Sequence, residues 1–489
     1  MSYTKTTTLA LLLLLAALAP GAARAQDVVA ITNATVLDGA GHELKDATIV
    51  IRGGKIEEIG PAAKVQKPYD AAVIDAKGKV VFPGMVLAHT SGGMDRSNES
   101  VPVGPFLNVV DSIDPSQLFF EEALRDGTTT LHVIHGDDCV VGGLSRVVHP
   151  LGLTVGEMTL RGELALKLCV EGKRGLDRVR QRAMLRETFA ELEDYADGVA
   201  EKRYEEEEKQ AKREVKVPPA EARKLGMKLV RDEDLDDKHR NLWLLTQGRL
   251  DAFVTVPRAQ DARFAVQLAR EHGFLARTTF VVGPECFKAA GVFKAAGRPV
   301  VLDEELVHRE RDAVSGEEHE TFVPAVWAKA GVPFALQVSS GRRDLGDRWL
   351  WYQAARCVRG GVDRATALSA ITRVPAKILG LEKRVGDVAK GLEADLLILS
   401  GDPLEMTTHV EQVLIGGRVV YERARDYRLR KLITGSAEEG DGKSAKADDK
   451  KDGKQDDGKQ ADDKKADDKK DDEKKDEPKQ DEPKKDGQQ

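Results

Sequence analysis

A few histidines and aspartates stand where their side chains could support chemistry. His89 follows an apolar run in PGMVLAHTSGG, and His132 and His135 occur in LHVIHGDDC, directly before Asp137 and Asp138. Imidazole and carboxylate groups can bind divalent metals or move protons near neutral pH. Side chains alternate along a strand, however, so positions 132 and 135 are predicted to face opposite ways rather than share a metal. The two aspartates are interpreted first as turn-capping residues.

Nucleophilic serine chemistry has weaker support from the residues. The segment GLSRVVHPLG, which contains His149, has no G-x-S-x-G elbow. Ser91, Ser339 and Ser340 follow apolar runs, but no histidine and aspartate accompany them in a triad pattern. These serines are therefore not predicted to act as nucleophiles.

The middle of the chain alternates between strand-like and helix-like patterns. Apolar runs such as TTTLHVIHG, RLDAFVTVP, TTFVVGP, RPVVLD and VPFALQVSS are each followed by a helical pattern. Such alternation over roughly 300 residues predicts an α/β fold with parallel strands, most economically a (β/α)8 TIM-like barrel. We place this barrel at residues 82–388, with a charged helical insertion at about 175–243 that is predicted to be a solvated excursion.

Two β-rich segments flank the predicted barrel. Residues 26–81 contain short alternating runs, with a hairpin turn predicted at the RGG before KIEEIG, and residues 389–430 return to the same pattern. We expect them to form one small composite β-sandwich domain built from both chain ends.

The first 25 residues have the pattern of a signal peptide. Lys5 precedes the apolar run 9–18, and Ala23-Arg24-Ala25 forms a cleavage pattern before Gln26. The alternative, a membrane anchor, needs roughly 20 apolar residues, more than this run has. The mature protein is therefore expected to be exported, to the periplasm or outside the cell.

Composition narrows the classes of function. The net charge is -7, which argues against nucleic-acid binding because phosphate contacts need a basic surface. Four scattered cysteines exclude a disulfide scaffold and a CxxC zinc site, although one or two bridges stay open. Residues 436–489 are almost all Lys, Asp, Glu, Gln, Gly and Ala, which predicts a disordered solubilising tail; a contact segment for a partner is the alternative.

Several blocks resemble the amidohydrolase superfamily, in particular its imidazolonepropionase- and prolidase-like branch. The resemblance covers most of residues 27–425 and is carried by ATVLDGAG, IVIRGGKIEEIG, VVFPGMVLAHT, EALRDGTTTLHVIHG, ALSAITRVPAKILGLEKRVGDVAKGLEADLLILSGDP and VLIGGRVVY. Members of the family that hydrolyse amides hold one or two divalent metals at the C-terminal mouth of the barrel. The resemblance implies an H-x-H pair on the first strand, a bridging group, two later histidines and a final aspartate.

The expected ligand positions are mostly substituted in this chain. His89 matches the first histidine, but the others fall on Ser91, Pro257, Gly283 and Ser339. A proline or glycine has no side-chain donor for a metal, and a serine hydroxyl is a weak ligand. For the bridging position the nearest residues, Glu171 and Lys167, match no motif. We therefore predict no metal centre, no cofactor and no catalytic residue, with His89 as a packed or hydrogen-bonded remnant.

Two functions follow from this pattern. The first is an exported, catalytically inactive amidohydrolase-like protein that binds a small-molecule ligand, forms homo-oligomers or serves as partner subunit of an active relative. The alternative is a hydrolase of carbon–nitrogen bonds with a rearranged site, in which case Zn²⁺ would be the expected metal. A cell-envelope interaction protein acting through the tail and the charged insertion is a third, weaker hypothesis.

Overall fold

A computed structural model describes residues 28–212, 217–338 and 348–434. The predicted signal peptide and tail lie outside these ranges, as do Ser339 and Ser340. Within the described ranges, no helix is both long enough and apolar enough to cross a membrane. The signal peptide, the tail and export therefore remain predictions.

The described residues form β-strands between Val28 and Glu422. In chain order they are β1 (Val28–Leu37), β2 (Glu43–Arg52), β3 (Lys55–Pro61), β4 (Ala72–Asp75), β5 (Val80–Pro83), β6 (Met85–Thr90), β7 (Thr128–Val133), β8 (Val141–Leu144), β9 (Arg146–Val148), β10 (Thr159–Arg161), β11 (Ala165–Cys169), β12 (Asp251–Val256), β13 (Thr278–Val282), β14 (Val300–Leu302), β15 (Val307–Arg311), β16 (Glu318–Phe322), β17 (Phe334–Ala335), β18 (Leu396–Leu399), β19 (Val410–Ile415) and β20 (Arg418–Glu422).

Helices connect and cover these strands. The α-helices are α1 (Leu118–Arg125), α2 (Val155–Met158), α3 (Arg178–Gln210), α4 (Pro219–Gly226), α5 (Asp237–Thr246), α6 (Ala262–Glu271), α7 (Ala290–Ala296), α8 (Val323–Ala330), α9 (Leu350–Arg359), α10 (Arg364–Ser369), α11 (Arg373–Ile378) and α12 (Tyr427–Thr434). Short 3-10 segments are Val109–Asp111, Asp232–Asp234, Ala259–Asp261, Leu275–Arg277, Pro284–Ala289 and Arg423–Arg425. In α6 the buried residues recur at helical spacing, as expected for a helix with one face on the core.

Strands from both ends of the described chain share one eight-stranded sheet. Its order is β20-β19-β18-β5-β1-β2-β3, and β4 pairs with β1. The predicted hairpin at RGG is confirmed: β2 and β3 are antiparallel neighbours, and Gly53 and Gly54 between them have φ of 56° and 81°. Such left-handed backbone favours glycine, since a Cβ atom strains it. That this sheet is a separate sandwich domain stays a prediction.

The strands in the middle of the chain form two larger sheets and a two-stranded antiparallel sheet of β15 and β16. β6 and β7 are parallel in a sheet of order β10-β9-β7-β6, and β11, β12, β13, β14 and β17 are parallel in a sheet of order β17-β14-β13-β12-β11-β8. β9 pairs antiparallel with β7, and β8 pairs antiparallel with β11. The mixed α/β class is thus confirmed, whereas strand pairing alone does not establish a closed barrel.

The charged insertion is only partly the solvated excursion that the sequence predicts. Helix α3 carries many exposed charges, but Leu185 and Phe189 on its N-terminal half are fully buried and belong to the main hydrophobic core. Phe189 stacks on Phe274, which precedes β13. The prediction is wrong for this half because a few apolar residues at helical spacing suffice to bind one helix face to the core.

Candidate functional site

The first candidate site lies at the C-terminal ends of the parallel strands. His89, near the end of β6, is 7% exposed. Its Nε2 lies 2.7 Å from Nζ of Lys167 and its Nδ1 lies 3.0 Å from Oε1 of Gln337. An ammonium group can only donate, so Nε2 accepts and the Nδ1–H donates to Gln337. Three strands, β6, β11 and β17, bring these residues together.

Lys167 is the central residue of this site, although none of its side chain is exposed. Alternation along β11 places Leu166 and Leu168 in the main core and Lys167 on the opposite face. There its Nζ lies 2.6 Å from Oδ1 of Asp137 as well as close to His89. A buried ammonium needs such partners, because removing an unpaired charge from water is strongly unfavourable.

Asp137 follows β7 and supplies the negative charge. Its Oδ1 accepts from Lys167 and also from Oγ1 of Thr255 on β12, at 2.7 Å. The side chain is 56% exposed, so this carboxylate forms the accessible edge of the site. The turn-capping interpretation of Asp137 is therefore wrong, because its position after β7 brings it beside two neighbouring strands. Asp138, in contrast, accepts from the backbone N–H of Arg174 at 2.6 Å.

Two further residues extend the hydrogen bonds across the strand ends. Nε2 of Gln337 donates to Oε2 of Glu304, 3.1 Å away, and Glu304 follows β14. The backbone oxygen of Glu304 accepts from the side chain of Gln353 on α9. The strand-end network is the name used below for these connected residues: His89, Asp137, Lys167, Glu304 and Gln337. Sequence reasoning missed Glu304 and Gln337, whose only signal is a polar residue directly after an apolar run.

Electrostatics fix the protonation states in the network. Burial, followed by the Lys167 ammonium, lowers the pKa of His89 to about 3, so the imidazole is neutral at pH 7. Burial, the largest influence, would lower the pKa of Lys167, but the Asp137 carboxylate and the neighbouring Cys169 and Cys139 together outweigh burial and raise that pKa. Burial opposes ionisation of Asp137, yet Lys167 lowers its pKa below the usual range. The network therefore contains an ammonium, a carboxylate and a neutral imidazole.

A second acidic group lies beside the network. Burial, followed by the neighbouring Glu304 carboxylate, raises the pKa of Asp303 to about 7. Two adjacent carboxyl groups disfavour double ionisation, so Asp303 carries its proton for part of the time at neutral pH. This residue is able to donate or accept a proton near physiological pH.

The structure describes three of the other predicted ligand positions, Ser91, Pro257 and Gly283. Pro257 and Gly283 directly follow β12 and β13, at the same edge as His89, and Ser91 is half-buried just after β6. A Cβ atom built on Gly283 would lie 2.3 Å from the backbone oxygen of Pro257. A histidine at position 283 would therefore require backbone movement. Ser339 lies outside the described residues.

The strand-end network does not fit a divalent metal. The place between the His89 imidazole and the Asp137 carboxylate is taken by a positively charged group, the Lys167 ammonium. Zinc sites use about three nitrogen, oxygen or sulfur ligands. Among residues 28–212, 217–338 and 348–434, a group of at least three His, Cys, Asp or Glu with metal-ligand spacing occurs once, and it is elsewhere: His149, Glu393 and Asp395.

This second cluster, the base triad, consists of His149, Glu393 and Asp395, and lies near the N-terminal ends of β6 and β7. Nδ1 of His149 donates to the backbone oxygen of Thr129 at 2.8 Å and lies 3.8 Å from Oδ2 of Asp395. That oxygen has no hydrogen-bond partner among the described residues, and burial raises the pKa of Asp395. One imidazole and two carboxylates are a donor set that zinc accepts, so the predicted absence of a metal from the whole protein stays a prediction.

The negative charge of the two carboxylates in the base triad is only partly neutralised. Oδ1 of Asp395 accepts from the backbone N–H of Gly416 at 2.8 Å, and Glu393 forms an ion pair with Nε of Arg384 at 2.6 Å. No cationic side chain is bonded to Asp395 among the contacts of the described residues. Sequence reasoning missed this cluster because about 240 residues separate His149 from the two acids.

The remaining histidines of the first motif have separate environments. His132 is fully buried and bonds to the backbone oxygen of Ala88 and to Oγ of Ser145, both at 2.7 Å. His135 is 5% exposed, and its Nε2 has no partner in the described part of the chain. Glu171, considered for the bridging position, instead pairs with Arg258 at 3.0 Å. None of these three belongs to the strand-end network.

Comparisons with known proteins agree with this framework. A model of the Amidohydrolase family matches residues 348–421, which include α9 to α11 and the return strands β18 and β19. The chain is 47% identical over 68 residues to a 5'-deoxyadenosine deaminase of Methanosarcina mazei, which is 14% of this chain and 15% of the relative. It is 39% identical over 66 residues to an imidazolonepropionase of Idiomarina loihiensis, 13% of this chain and 16% of the relative. The chain thus aligns with only a small part of each curated relative's length.

One solved structure extends the similarity to most of the chain. The amidohydrolase from Thermotoga maritima MSB8 superposes with a TM-score of 0.67 at 26% sequence identity, over 81% of this chain and 100% of that one. The similarity therefore includes the parallel strands that carry the network as well as the C-terminal segment. Together with the family match at the last helices and return strands, it supports the amidohydrolase superfamily as the family that this chain is similar to.

Proposed function

We propose that this protein uses the amidohydrolase fold to bind a small-molecule ligand, without metal-assisted hydrolysis at the strand ends. The observation that carries the proposal is the position of the Lys167 ammonium, 2.6 Å from Asp137 and 2.7 Å from His89. A positive charge fixed between these two groups repels a divalent cation and occupies their lone pairs. The neutral His89 is hydrogen-bonded at both ring nitrogens, so it has no free position for proton transfer.

We further propose that the two parallel sheets belong to one barrel-like ring. The segment 141–148 pairs with β7 on one side and β11 on the other. On the opposite side, the backbone N–H of Val86 donates to Ile371 and that of Leu336 donates to Ala370, at 2.9 and 3.1 Å. These bonds support a ring in which residues 370–371 join β6 to β17. Ligand binding at the C-terminal ends of the strands follows the general rule for such barrels.

The accessible side chains favour a ligand that carries hydrogen-bond donors. Asp137 is the most exposed member of the network, and Asp303 and Glu304 lie beside it. All three are acceptors when ionised, whereas two of the three Lys167 donors are already engaged by Asp137 and His89. An amide or amine group would therefore complement this surface. We also propose that the protein is exported to the periplasm or beyond, and that it forms homo-oligomers or pairs with an active relative.

A metal-free hydrolase of carbon–nitrogen bonds is the second candidate, and Asp303 is the observation that favours it. With a pKa raised to about 7 by burial and Glu304, this carboxyl could act as general acid or base at neutral pH. Deaminases among the relatives also act on carbon–nitrogen bonds, although they match only 14% and 21% of this chain.

Metal analysis of wild type and two variants separates these possibilities. Elemental analysis of purified wild type, His89→Ala and Asp395→Asn would be combined with assays on amides, cyclic imides and adenosine derivatives, with and without added Zn²⁺. We expect no turnover, and any bound metal should be retained in His89→Ala and lost in Asp395→Asn. A stoichiometric metal that His89→Ala removes, together with zinc-dependent turnover, would contradict the proposal. Turnover without metal that Asp303→Asn abolishes would favour the second candidate.

Ligand binding itself is tested by calorimetric titration with a panel of small amides and amines. Asp303→Asn should weaken binding of a hit at least several-fold, because an acidic acceptor is lost. Glu305→Gln is the matched control, since Glu305 lies two residues after Asp303 and is exposed. Equal weakening in both variants would place the ligand elsewhere.

A further inference from the structure

Two buried thiols lie next to the strand-end network. Cys169 is the last residue of β11 and Cys139 precedes β8, and their Sγ atoms are 3.6 Å apart. Both cysteines are free, at 1% and 5% exposure respectively. The sulfurs of a disulfide are about 2.05 Å apart, so modest side-chain rotation would bring these two into bonding distance.

Other groups hold the two cysteine backbones at this separation. Nε2 of Gln181, a fully buried side chain on α3, donates to the backbone oxygens of both Cys139 and Cys169, each at 2.9 Å. The backbone N–H of Cys169 also donates to Val140, at 3.1 Å. Hydrogen bonds that do not involve the sulfurs thus help to position the two segments, and a bond between the thiols would need little backbone movement.

The thiol pair joins the same two segments as the central ion pair. Asp137 stands two residues before Cys139, and Lys167 stands two residues before Cys169. Any covalent link between the sulfurs therefore restrains the relative positions of the Asp137 carboxylate and the Lys167 ammonium.

We propose that Cys139 and Cys169 form a redox modification site, and that their disulfide secures the Asp137–Lys167 pair. An oxidant such as oxidised glutathione accepts the electrons. One thiol loses its proton and its sulfur attacks the glutathione disulfide, releasing one glutathione; the second thiolate then displaces the other. The two protons lost by the cysteine thiols pass to the two departing glutathione thiolates, so one Sγ–Sγ bond forms and two glutathione thiols are produced. This inference does not depend on the proposed ligand-binding function.

Burial controls the rate of this reaction. Burial raises the pKa of Cys169 well above its usual value, and both sulfurs are shielded from solvent. Since the thiolate is the reactive form, oxidation of the folded protein should be slow and should accelerate when the segment opens locally.

Mass spectrometry provides the test. The full-length protein is incubated with oxidised glutathione, in buffer and in urea below its unfolding midpoint, and is then denatured and alkylated. We expect alkylation of two of the four cysteines and a non-reduced peptide linking Cys139 to Cys169. Cys139→Ser should abolish that peptide, and Cys286→Ser, which removes another buried thiol, should leave it unchanged. Four alkylated cysteines under both conditions, or a different pairing, would overturn the proposal.

The link to the network has its own readout. Oxidation should raise the thermal unfolding midpoint of wild type. The rise should be larger in Lys167→Met, where the disulfide restrains the two segments in place of the lost ion pair. Met keeps much of the lysine stem's volume, so the variant is expected to fold. An equal rise in both proteins would show that the disulfide does not act on the ion pair, and no rise in either would contradict its stabilising role.

Discussion

Each end of the parallel strands carries a histidine and carboxylates, but the negative charges of the carboxylates are neutralised differently at the two ends. In the strand-end network, the Lys167 ammonium contacts the imidazole and the carboxylate directly. In the base triad, Arg384 pairs only with Glu393, and Oδ2 of Asp395 lacks a partner among the described residues. The comparison teaches that donor atoms alone do not define a metal site, because a cation supplied by the chain itself can already satisfy them.

The largest expected effect comes from removing the anion of the network. Asp137→Ala should lower the free energy of unfolding by about 3 kcal/mol, near the lower end for a buried charge that loses its partner. The Lys167 ammonium is the buried member, whereas Asp137 is 56% exposed. Lys167→Met should therefore cost less, about 1 kcal/mol, because water can solvate the remaining carboxylate. Urea unfolding measures both values.

Asp138→Ala is the matched control for that prediction, since its carboxylate bonds to a loop backbone rather than to Lys167. Equal losses for Asp137→Ala and Lys167→Met, or a larger loss for the lysine variant, would contradict the assignment of Lys167 as the buried charge.

Acid sensitivity is the next effect in size. Burial lowers the pKa of His89 to about 3, so the unfolded state binds a proton that the folded state refuses between about pH 6.5 and pH 3. The contribution of neutral His89 to the free energy of unfolding is complete above pH 6.5 and is lost as the pH falls. Between pH 7 and pH 5, the titration of His89 should lower the free energy of unfolding by about 2 kcal/mol at most.

His89→Gln removes the titrating group but keeps one acceptor and one donor for Lys167 and Gln337. Thermal unfolding at pH 7 and pH 5 should therefore show a smaller acid-induced loss in His89→Gln than in wild type. Burial also lowers the pKa of His132 to about 3, so both proteins retain some acid sensitivity. Identical pH profiles for the two proteins would refute the neutral state of His89.

The smallest effect is expected in the base triad. Burial raises the pKa of Asp395, so its contribution to stability is present below pH 3.8 and declines as pH rises. With a chelator present, Asp395→Asn should gain about 1 kcal/mol relative to wild type at neutral pH, because a buried carboxylate becomes an uncharged amide of the same shape. The gain should shrink toward pH 4. Zinc that stabilises wild type but not the variant would instead show that the triad binds metal.

Periodicity predicts the local elements better than it predicts the sites. The Gly53-Gly54 turn and the strand–helix alternation follow from backbone preference and apolar spacing, which are properties of neighbouring residues. The buried half of α3 does not, because Phe189 meets Phe274 only after the chain folds back. Long-range packing decides such cases, and a single sequence does not contain it explicitly.

The residues of the candidate site likewise include some that the sequence predicts and some that it does not. His89, Pro257 and Gly283 were located from motifs directly after apolar runs, and the structure places all three at one edge. The partnership of Asp137 and Lys167 could not be read from spacing, since 29 residues and a reversal of direction lie between them. The available signal was a lysine in the middle of the apolar run LALKLCV, where a charge is rare unless it is paired.

The close approach of Gly283 to Pro257 bears on protein engineering. With only 2.3 Å between a notional Cβ and the Pro257 oxygen, grafting imidazoles onto this rim one position at a time would distort the loops that carry them. An engineer seeking a working hydrolase from this scaffold would have to rebuild both loops together and replace the resident lysine in the same step.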